Sequence, residues 1–200
     1  MGAAVLLGAM VVTTTSCSSG TATPAPAASS HDGSMMSHGA EDHSHTDDGP
    51  GPMMDADIMF LQMMIPHHQQ AIEMSSLAST NDASPDVQRL AEAIAAAQGP
   101  EIEQMKSWLD QAHAPLMMAD HHMTMSGMLS SSQMSELAAA RGAQFDRLYL
   151  EGMIGHHQGA LQMAQDEIES GENPDVVAFA KKVVTDQTAE IARMTSMLAA

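Results

Sequence analysis

The chain contains one segment twice, and this repeat constrains its fold more than any other feature. Residues 60–74 read FLQMMIPHHQQAIEM, and residues 149–163 read YLEGMIGHHQGALQM. An offset of 89 residues (156 − 67) superimposes the two histidine pairs, and the same offset maps Pro85 onto Pro174 without a gap. Each copy is too short to bury its own apolar face, so the repeat predicts two helical hairpins packed on each other.

Capping residues locate the first hairpin. Asp55 or Asp57 can cap a first helix that runs to about Ala78, and residues 81–85 form a turn. A second helix is predicted from residue 86 to about residue 111. Within it, Gly99-Pro100 should kink the helix or break it in two.

The second hairpin repeats this arrangement. Ser132 or Ser135 starts a long helix over roughly residues 133–169, and residues 174–198 form the last helix. The sequence therefore predicts an all-α fold, a four-helix bundle built from two repeated hairpins. Its bundle domain covers residues 55–200, which divide into repeat one at 55–111, a His/Met-rich loop at 112–132 and repeat two at 133–200.

Composition excludes one class of partner and favours another. Seven Lys and Arg residues face 25 Asp and Glu, which gives a net charge of −18. Such a charge attracts cations and repels nucleic acid, so nucleic-acid binding is excluded. The chain also carries 21 Met but only three Phe, one Tyr and one Trp, so its core must be rich in thioethers.

The N-terminal segment indicates export. A short apolar run precedes Thr14-Thr15-Ser16-Cys17, which resembles a bacterial lipobox, so residues 1–17 read as a signal peptide with Cys17 as the lipidated residue. The alternative is an ordinary signal with an incidental cysteine. Residues 18–54 are predicted to be a disordered tether and a His/Met-rich tail. We expect an extracytoplasmic protein anchored to the cell membrane, with membrane contact only through the lipid.

The repeated histidines fall on the apolar side of their helices. At helical periodicity, His67 and His68 share one broad arc with Met64 and Met74. The second copy repeats this arc with the matching residues Met153, His156, His157 and Met163. Buried imidazoles need a hydrogen bond or a metal ion, so these eight residues are candidate metal ligands. A purely architectural histidine network in the core is the alternative.

Polar residues on the second helix of each hairpin offer partners to these imidazoles. Gln98 and Glu101 fall within an otherwise apolar stripe, as do Gln187 and Glu190 in the copy. A carboxylate or amide that faces an imidazole can fix its tautomer and leave the other ring nitrogen free for a metal.

Imidazole and uncharged thioether ligands without a thiolate favour Cu(I), and by the same softness Ag(I), over Zn²⁺, Mg²⁺ or Ca²⁺. Two polar segments outside the predicted helices could bind metal as well, since they have no core to fill. For the tail, the alternative role is that of a solvated acidic spacer. The less certain candidate ligands in these segments are His121, His122, Met123 and Met125 in the loop and His38, His43 and His45 in the tail.

The two His-His-Gln motifs resemble the paired signatures of the domain-of-unknown-function family numbered 305. The resemblance implies a ferritin-like four-helix fold, export, and a link to copper or silver binding and tolerance, without a known enzymatic activity. Carried over residue by residue, the family pattern points to the same eight bundle residues. Gly152 replaces the Met63 of the first copy.

These features favour an exported, surface-anchored copper-binding protein that sequesters Cu(I) or transfers it to other copper-handling proteins. We do not expect an enzyme. Di-iron oxidases of this architecture need Glu-x-x-His pairs, and no Glu in the chain has a His three residues later. A ferritin-like metal oxidase, such as a cuprous oxidase, and a structural or interaction bundle without metal remain as alternatives.

Overall fold

The computed structural model describes residues 51–117 and 125–200, and all regular structure within these ranges is helical. The elements in chain order are α1 (Asp55–Ser76), a 3-10 turn (Leu77–Ser79), α2 (Pro85–Gln111), α3 (Ser131–Ala139), α4 (Gly142–Ser170) and α5 (Pro174–Leu198). Helix α1 packs along α2, α4 packs along α5, and the two hairpins meet through α1 and α4. The predicted all-α fold is confirmed, and the four long helices form the bundle.

Some predicted features lie outside the described ranges. They are the signal peptide with Cys17, the tether with all but the last four residues of the tail, and residues 118–124 of the inter-repeat loop. None of the helices that the structure describes is long and apolar enough to cross a membrane.

The single long helix predicted over residues 133–169 is wrong, because the chain breaks it between α3 and α4. Ala140 and Arg141 adopt extended conformations, with ψ of 154° and 152°, and Gly142 has a φ of +56°. Asn81, which belongs to the other hairpin, stabilises the break between α3 and α4. Its side-chain amide donates to the carbonyl groups of Leu137 and Ala138, near the end of α3, at 3.2 and 3.1 Å. Its backbone carbonyl accepts from the amide of Gly142 at 2.9 Å.

The start of α3 also differs from the prediction. Ser130, rather than Ser132 or Ser135, is the N-cap, and its hydroxyl accepts from the amide of Gln133 at 3.3 Å. The Gln133 side chain accepts in return from the amide of Ser130 at 2.9 Å. This reciprocal pair is a capping box.

Two prolines lie inside helices without ending them. Helix α2 is continuous through Gly99-Pro100, so the predicted break in two does not occur, and α1 is continuous through Pro66. An interior proline costs about 3 kcal/mol in an isolated helix. Both helices bury residues on each side of the proline, and this packing offsets the lost backbone hydrogen bond.

A reciprocal pair of aspartates fastens the two hairpins together. The Asp57 carboxylate on α1 accepts from the amides of Glu172 and Asn173, at 3.1 and 3.0 Å, just before α5. At the equivalent place Asp146 on α4 accepts from the amide of Ser84, at 3.0 and 3.2 Å, just before α2. Each hairpin thus binds the N-terminal end of the second helix of the other.

Asp57 has a buried acidic neighbour, Glu167 on α4. Burial, and then the adjacent Asp57 carboxyl, raise the pKa of Glu167 to about 8. At neutral pH Glu167 therefore holds a proton.

The bundle interior contains two apolar clusters. One, the Phe60 cluster, includes Met64, Met105 and Met163, and the other, the Phe145 cluster, includes Met74, Met153 and Met194. The 89-residue offset converts each group of three methionines into the other. Met64 shares a cluster with Met163, and Met74 shares one with Met153, so α1 and α4 pass each other in opposite directions.

Asp57→Ala should lower the free energy of unfolding by about 3 kcal/mol, because it leaves two backbone amides at the start of α5 without their charged acceptor. Urea denaturation measures this loss. Asp146→Ala should cost less, since Asp146 is only half-buried and accepts from a single amide. The exposed Asp55→Ala is the control, with an expected change of a few tenths of a kcal/mol. Equal losses for Asp55 and Asp57 would contradict the role given to Asp57.

Candidate metal centre

Four histidine rings form a polar layer between the two apolar clusters. His67 and His68 project from the middle of α1, and His156 and His157 project from the middle of α4. All four are buried, with no more than 1% of any side chain exposed. The rings of His67 and His156 lie face to face across the helix crossing, with centroids 3.7 Å apart and planes tilted by 36°.

The outer histidine of each pair binds a carboxylate on the neighbouring helix. His68 Nε2 lies 3.0 Å from Glu101, and His157 Nε2 lies 2.7 Å from Glu190. Since a carboxylate accepts, each Nε2 carries the proton that it donates to this carboxylate.

The two carboxylates differ in their surroundings. Glu101 also accepts from Lys182 at 2.7 Å, whereas within the described residues Glu190 has an ion pair only with His157. Burial opposes ionisation of Glu101, but the hydrogen bonds from His68 and Lys182 outweigh it and lower the pKa of this carboxyl.

The inner histidines have fewer partners. His67 Nε2 donates to the carbonyl oxygen of Ser126 at 3.2 Å, which leaves its Nδ1 with a free lone pair. His156 has no hydrogen-bond partner on either ring nitrogen in the part of the chain that the structure describes. Counting the outer pair, all four Nδ1 atoms are buried and unpartnered there. These nitrogens are the largest group of buried polar atoms without a hydrogen-bond partner among the residues described.

Burial keeps the inner histidines neutral. Desolvation, and then the positive charge that neighbouring histidines would carry, lower the pKa of His67 to about 3 and that of His156 to about 2. Neutral imidazole is the form that binds metal, so no proton competes at these nitrogens near neutral pH.

The end of the inter-repeat loop covers the inner pair. Gln70 holds it, because its side chain donates to the carbonyl of Leu129 at 2.9 Å and accepts from the Leu129 amide at 2.7 Å. Ser126 then lies against α4 at Gly159, where an added β-carbon would overlap its carbonyl oxygen. Sequence reasoning missed these contacts, although the exchange of Gln70 for Gly159 in an otherwise matching motif was a visible signal.

All four methionines predicted in the bundle are buried, with Met163 the most exposed at 5%. They divide between the two apolar clusters on either side of the histidine layer. Met105 and Met194, which we did not predict as ligands, complete the group of three methionines in each cluster. The offset of 89 residues already paired these two, but their position in an apolar stripe favoured a packing role.

The remaining predicted residues are less well placed. Gln98 and Gln187 are buried, and the carbonyl oxygen of each side chain has no partner among the residues described. Met125 is half-buried near the start of the described loop end. The other candidates lie outside the described ranges: His38, His43 and His45 of the tail, and His121, His122 and Met123 of the loop.

The chemistry of the layer limits what it could bind. Within residues 51–117 and 125–200, no three His, Cys, Asp or Glu side chains are grouped closely enough to hold a metal ion. A metal site here would therefore need thioether sulfur beside imidazole nitrogen. That combination suits soft monovalent ions and not zinc, calcium or magnesium.

His156→Phe should weaken the acid dependence of stability. Below pH 6.5 the unfolded chain takes up protons that the folded His67 and His156 refuse, so stability is complete above this pH and falls as the pH drops. Each histidine contributes about 1.4 kcal/mol per pH unit. Urea denaturation between pH 5.5 and 4.5 should show that much less slope in the variant.

The comparison of wild type with His156→Phe is controlled in two ways. Glu167 acts in the opposite direction, but it does so equally in wild type and variant. His113→Gln replaces an exposed histidine and should keep the wild-type slope. An unchanged slope in His156→Phe would mean that His156 is protonated in the folded protein.

Comparison with known proteins identifies the family. The family model for the domain of unknown function DUF305 matches residues 57–198. A DUF305 protein from Streptomyces coelicolor has 34% sequence identity and a TM-score of 0.69, over 72% of this chain and 92% of that one. A DUF305 fragment from Deinococcus radiodurans has 29% identity and a TM-score of 0.68, over 74% of this chain and 98% of that one.

A third similar structure contains metal. CopM in its Cu(I)-bound form has 31% identity and a TM-score of 0.61, over 70% of this chain and 94% of that one. Cu(II)-bound and Ag-bound forms of CopM are similar to this chain as well. No curated protein sequence matches the chain. The resemblance carried by the two His-His-Gln motifs is confirmed: the chain belongs to the DUF305 family.

Proposed function

We propose that this protein binds Cu(I), and by the same chemistry Ag(I), in the histidine layer at the middle of its bundle. The observation that carries the proposal is the set of four buried imidazoles whose Nδ1 atoms have no partner. A buried nitrogen without a partner costs about 1–3 kcal/mol. A cation bound by one or two of these nitrogens together with thioether sulfur would remove that cost for them, which a purely architectural network leaves unexplained.

Thioethers and neutral imidazoles can complete such a site together. The facing rings of His67 and His156 supply nitrogen at the helix crossing. Met64 and Met153, each three residues before its histidine, lie one helical turn away on opposite sides of the layer. Met74 and Met163 come after the histidine pairs in sequence, and they lie in the Phe145 cluster and the Phe60 cluster, respectively. Neither ligand type has to lose a proton, so binding would persist across neutral and mildly acidic pH.

Similar proteins support the choice of metal. CopM, at 31–33% identity, has been solved with Cu(I), Cu(II) and Ag bound. The requirement for sulfur, derived from the donor set of this chain alone, leads to the same soft ions.

The proposed role is binding and not catalysis. Both carboxylates next to the layer, Glu101 and Glu190, are bound to histidine Nε2 atoms, as expected of groups that orient a ligand. In this role the protein would sequester copper in copper tolerance or transfer it to other copper-handling proteins.

Export and anchoring complete the proposal. The apolar leader and Cys17 support secretion with a lipid attached to that cysteine, and the Streptomyces coelicolor relative carries a name that places it among secreted proteins. A surface-anchored protein of charge −18 would concentrate cations where copper first meets the cell.

The test is Ag(I) titration of the full-length protein, followed in two-bond ¹H–¹⁵N spectra of its histidine rings. We expect the Nδ1 resonances of His67 and His156 to shift on binding. The double variant His67→Phe/His156→Phe should bind the bundle ion at least 100-fold more weakly in competition with a chelator. His113→Gln, at an exposed site, is the matched control and should bind as wild type does.

Two results would contradict the proposal. One is a double variant that folds, by circular dichroism, and binds the same amount of silver with the same affinity. The other is a full titration that leaves all four buried rings unchanged, which would place metal binding in the tail or the loop and favour the architectural alternative.

Replacing the carboxylates tests the orientation of the ligands. Glu190→Gln should weaken Cu(I) binding by about 10–100-fold, because the neutral amide makes the His157 ring a poorer donor. Glu101→Gln should have the smaller effect, since Lys182 already shares the charge of Glu101. Competition with a Cu(I) chelator under anaerobic conditions measures both variants. A larger effect at Glu101 would reverse the ranking and contradict the argument from charge.

A further inference from the structure

A small cleft opens on the surface between α1 and α4, about two helical turns from the histidine layer. Its volume is about 100 Å³. Three of its lining residues are methionines: Met59, which is 47% exposed at the rim, Met63, which is half-buried, and Met163, which is buried. Organic ligands occupy pockets of about 300–1,000 Å³, so this cleft suits a single ion.

One of the two acidic residues that line the cleft, Glu167, is buried. Only 2% of Glu167 is exposed, and neither of its carboxyl oxygens has a hydrogen-bond partner in the part of the chain that the structure describes. A carboxylate in this position is strongly disfavoured unless a cation or a proton accompanies it. Asp166 and Ser170 also line the cleft, so its polar side chains carry carboxyl or hydroxyl oxygens and no basic group.

The repeat provides an internal comparison, because the 89-residue offset maps the cleft onto a second place where α1 and α4 meet. At the 89-residue offset, Leu148 corresponds to Met59, Gly152 to Met63 and Ala78 to Glu167. The equivalent place therefore has no acid and only one methionine, Met74. Leu129 and Met74 fill it, since both lie within 3.4 Å of the position that a β-carbon on Gly152 would take. The cleft with its sulfur and carboxylate therefore occurs at only one of the two places that the repeat relates, so it is not a by-product of the repeated fold.

We propose that this cleft is a second, outer metal site, which binds one Cu(I) or Ag(I) ion through the thioethers of Met59, Met63 and Met163 and the carboxylate of Glu167.

The donor set excludes calcium and magnesium. Ca²⁺ requires six to eight oxygen ligands and Mg²⁺ six, and the cleft offers too few. Sulfur from three methionines with one carboxylate suits a soft monovalent ion. At neutral pH the ion would take the place of the proton that Glu167 holds, and that proton would leave for solvent.

The cleft is continuous with the interior. Met163 lines the cleft on one side and belongs to the Phe60 cluster, with Met64, on the other. The outer cleft therefore shares Met163 with an apolar cluster that borders the histidine layer. The choice of metal rests on the proposed function. In that function the outer site would bind the ion first, before the ion reaches the histidine layer.

The experiment is Ag(I) titration of the full-length protein labelled with ¹³C at the methionine methyl groups. The methyl resonances of Met59 and Met63 should shift on binding. Met59→Leu/Met63→Leu should take up one ion fewer than wild type, because leucine keeps the volume and removes the sulfur. Glu167→Gln should bind that ion at least 10-fold more weakly.

The control is Met134→Leu/Met197→Leu, which replaces two partly buried methionines packed on the Phe145 cluster. It should bind the wild-type number of ions. If the Met59 and Met63 resonances stay unchanged, or if their double variant binds as the control does, the outer site is overturned.

The outcomes also separate this site from the proposed function. Shifts at Met64 and Met153 without shifts at Met59 and Met63 would retain the bundle site and overturn the outer one. Shifts confined to Met59 and Met63 would retain the outer site and overturn metal binding in the histidine layer.

Discussion

The rest of the structure depends on the contact between His67 and His156, whose rings lie 3.7 Å apart in the middle of an otherwise apolar core. Two imidazoles in that position must both be neutral, and burial lowers their pKa values far enough to keep them so. The remaining elements are arranged around this requirement. Carboxylates on α2 and α5 accept a hydrogen bond from the outer histidine of each pair. An apolar cluster packs against the histidine layer on each side.

The pseudo-twofold arrangement allows this layer to form. Because α1 and α4 cross in opposite directions, each apolar cluster receives one methionine from each end of the repeated motif. The reciprocal Asp57 and Asp146 contacts hold the crossing in register, since each hairpin binds the start of a helix in the other. The departures from symmetry are then informative. One is the loop end that Gln70 holds over His67, and the other is the cleft that contains Glu167.

Much of the fold was predictable because the repeat is long and its signals are local. Ser84 and Asn173 each precede a proline, which is a local signal for a helix start, and both cap a helix. The break between α3 and α4 was not predictable, because apolar periodicity continues through Ala140 while the compensating hydrogen bonds come from Asn81 in the other hairpin. Pro100 shows the reverse case, in which burial along α2 overrides a strong local breaker.

The sequence by itself determined the all-α class, the pairing of the two hairpins and the identity of the buried histidines and methionines. Periodicity and caps act over a few residues, so they can be read from the chain directly. Only the tertiary structure decided that His67 faces His156, that the methionines divide into two groups of three, and that Glu167 is buried beside three thioethers. These arrangements depend on how α1 crosses α4, which is set by the packing of whole helices.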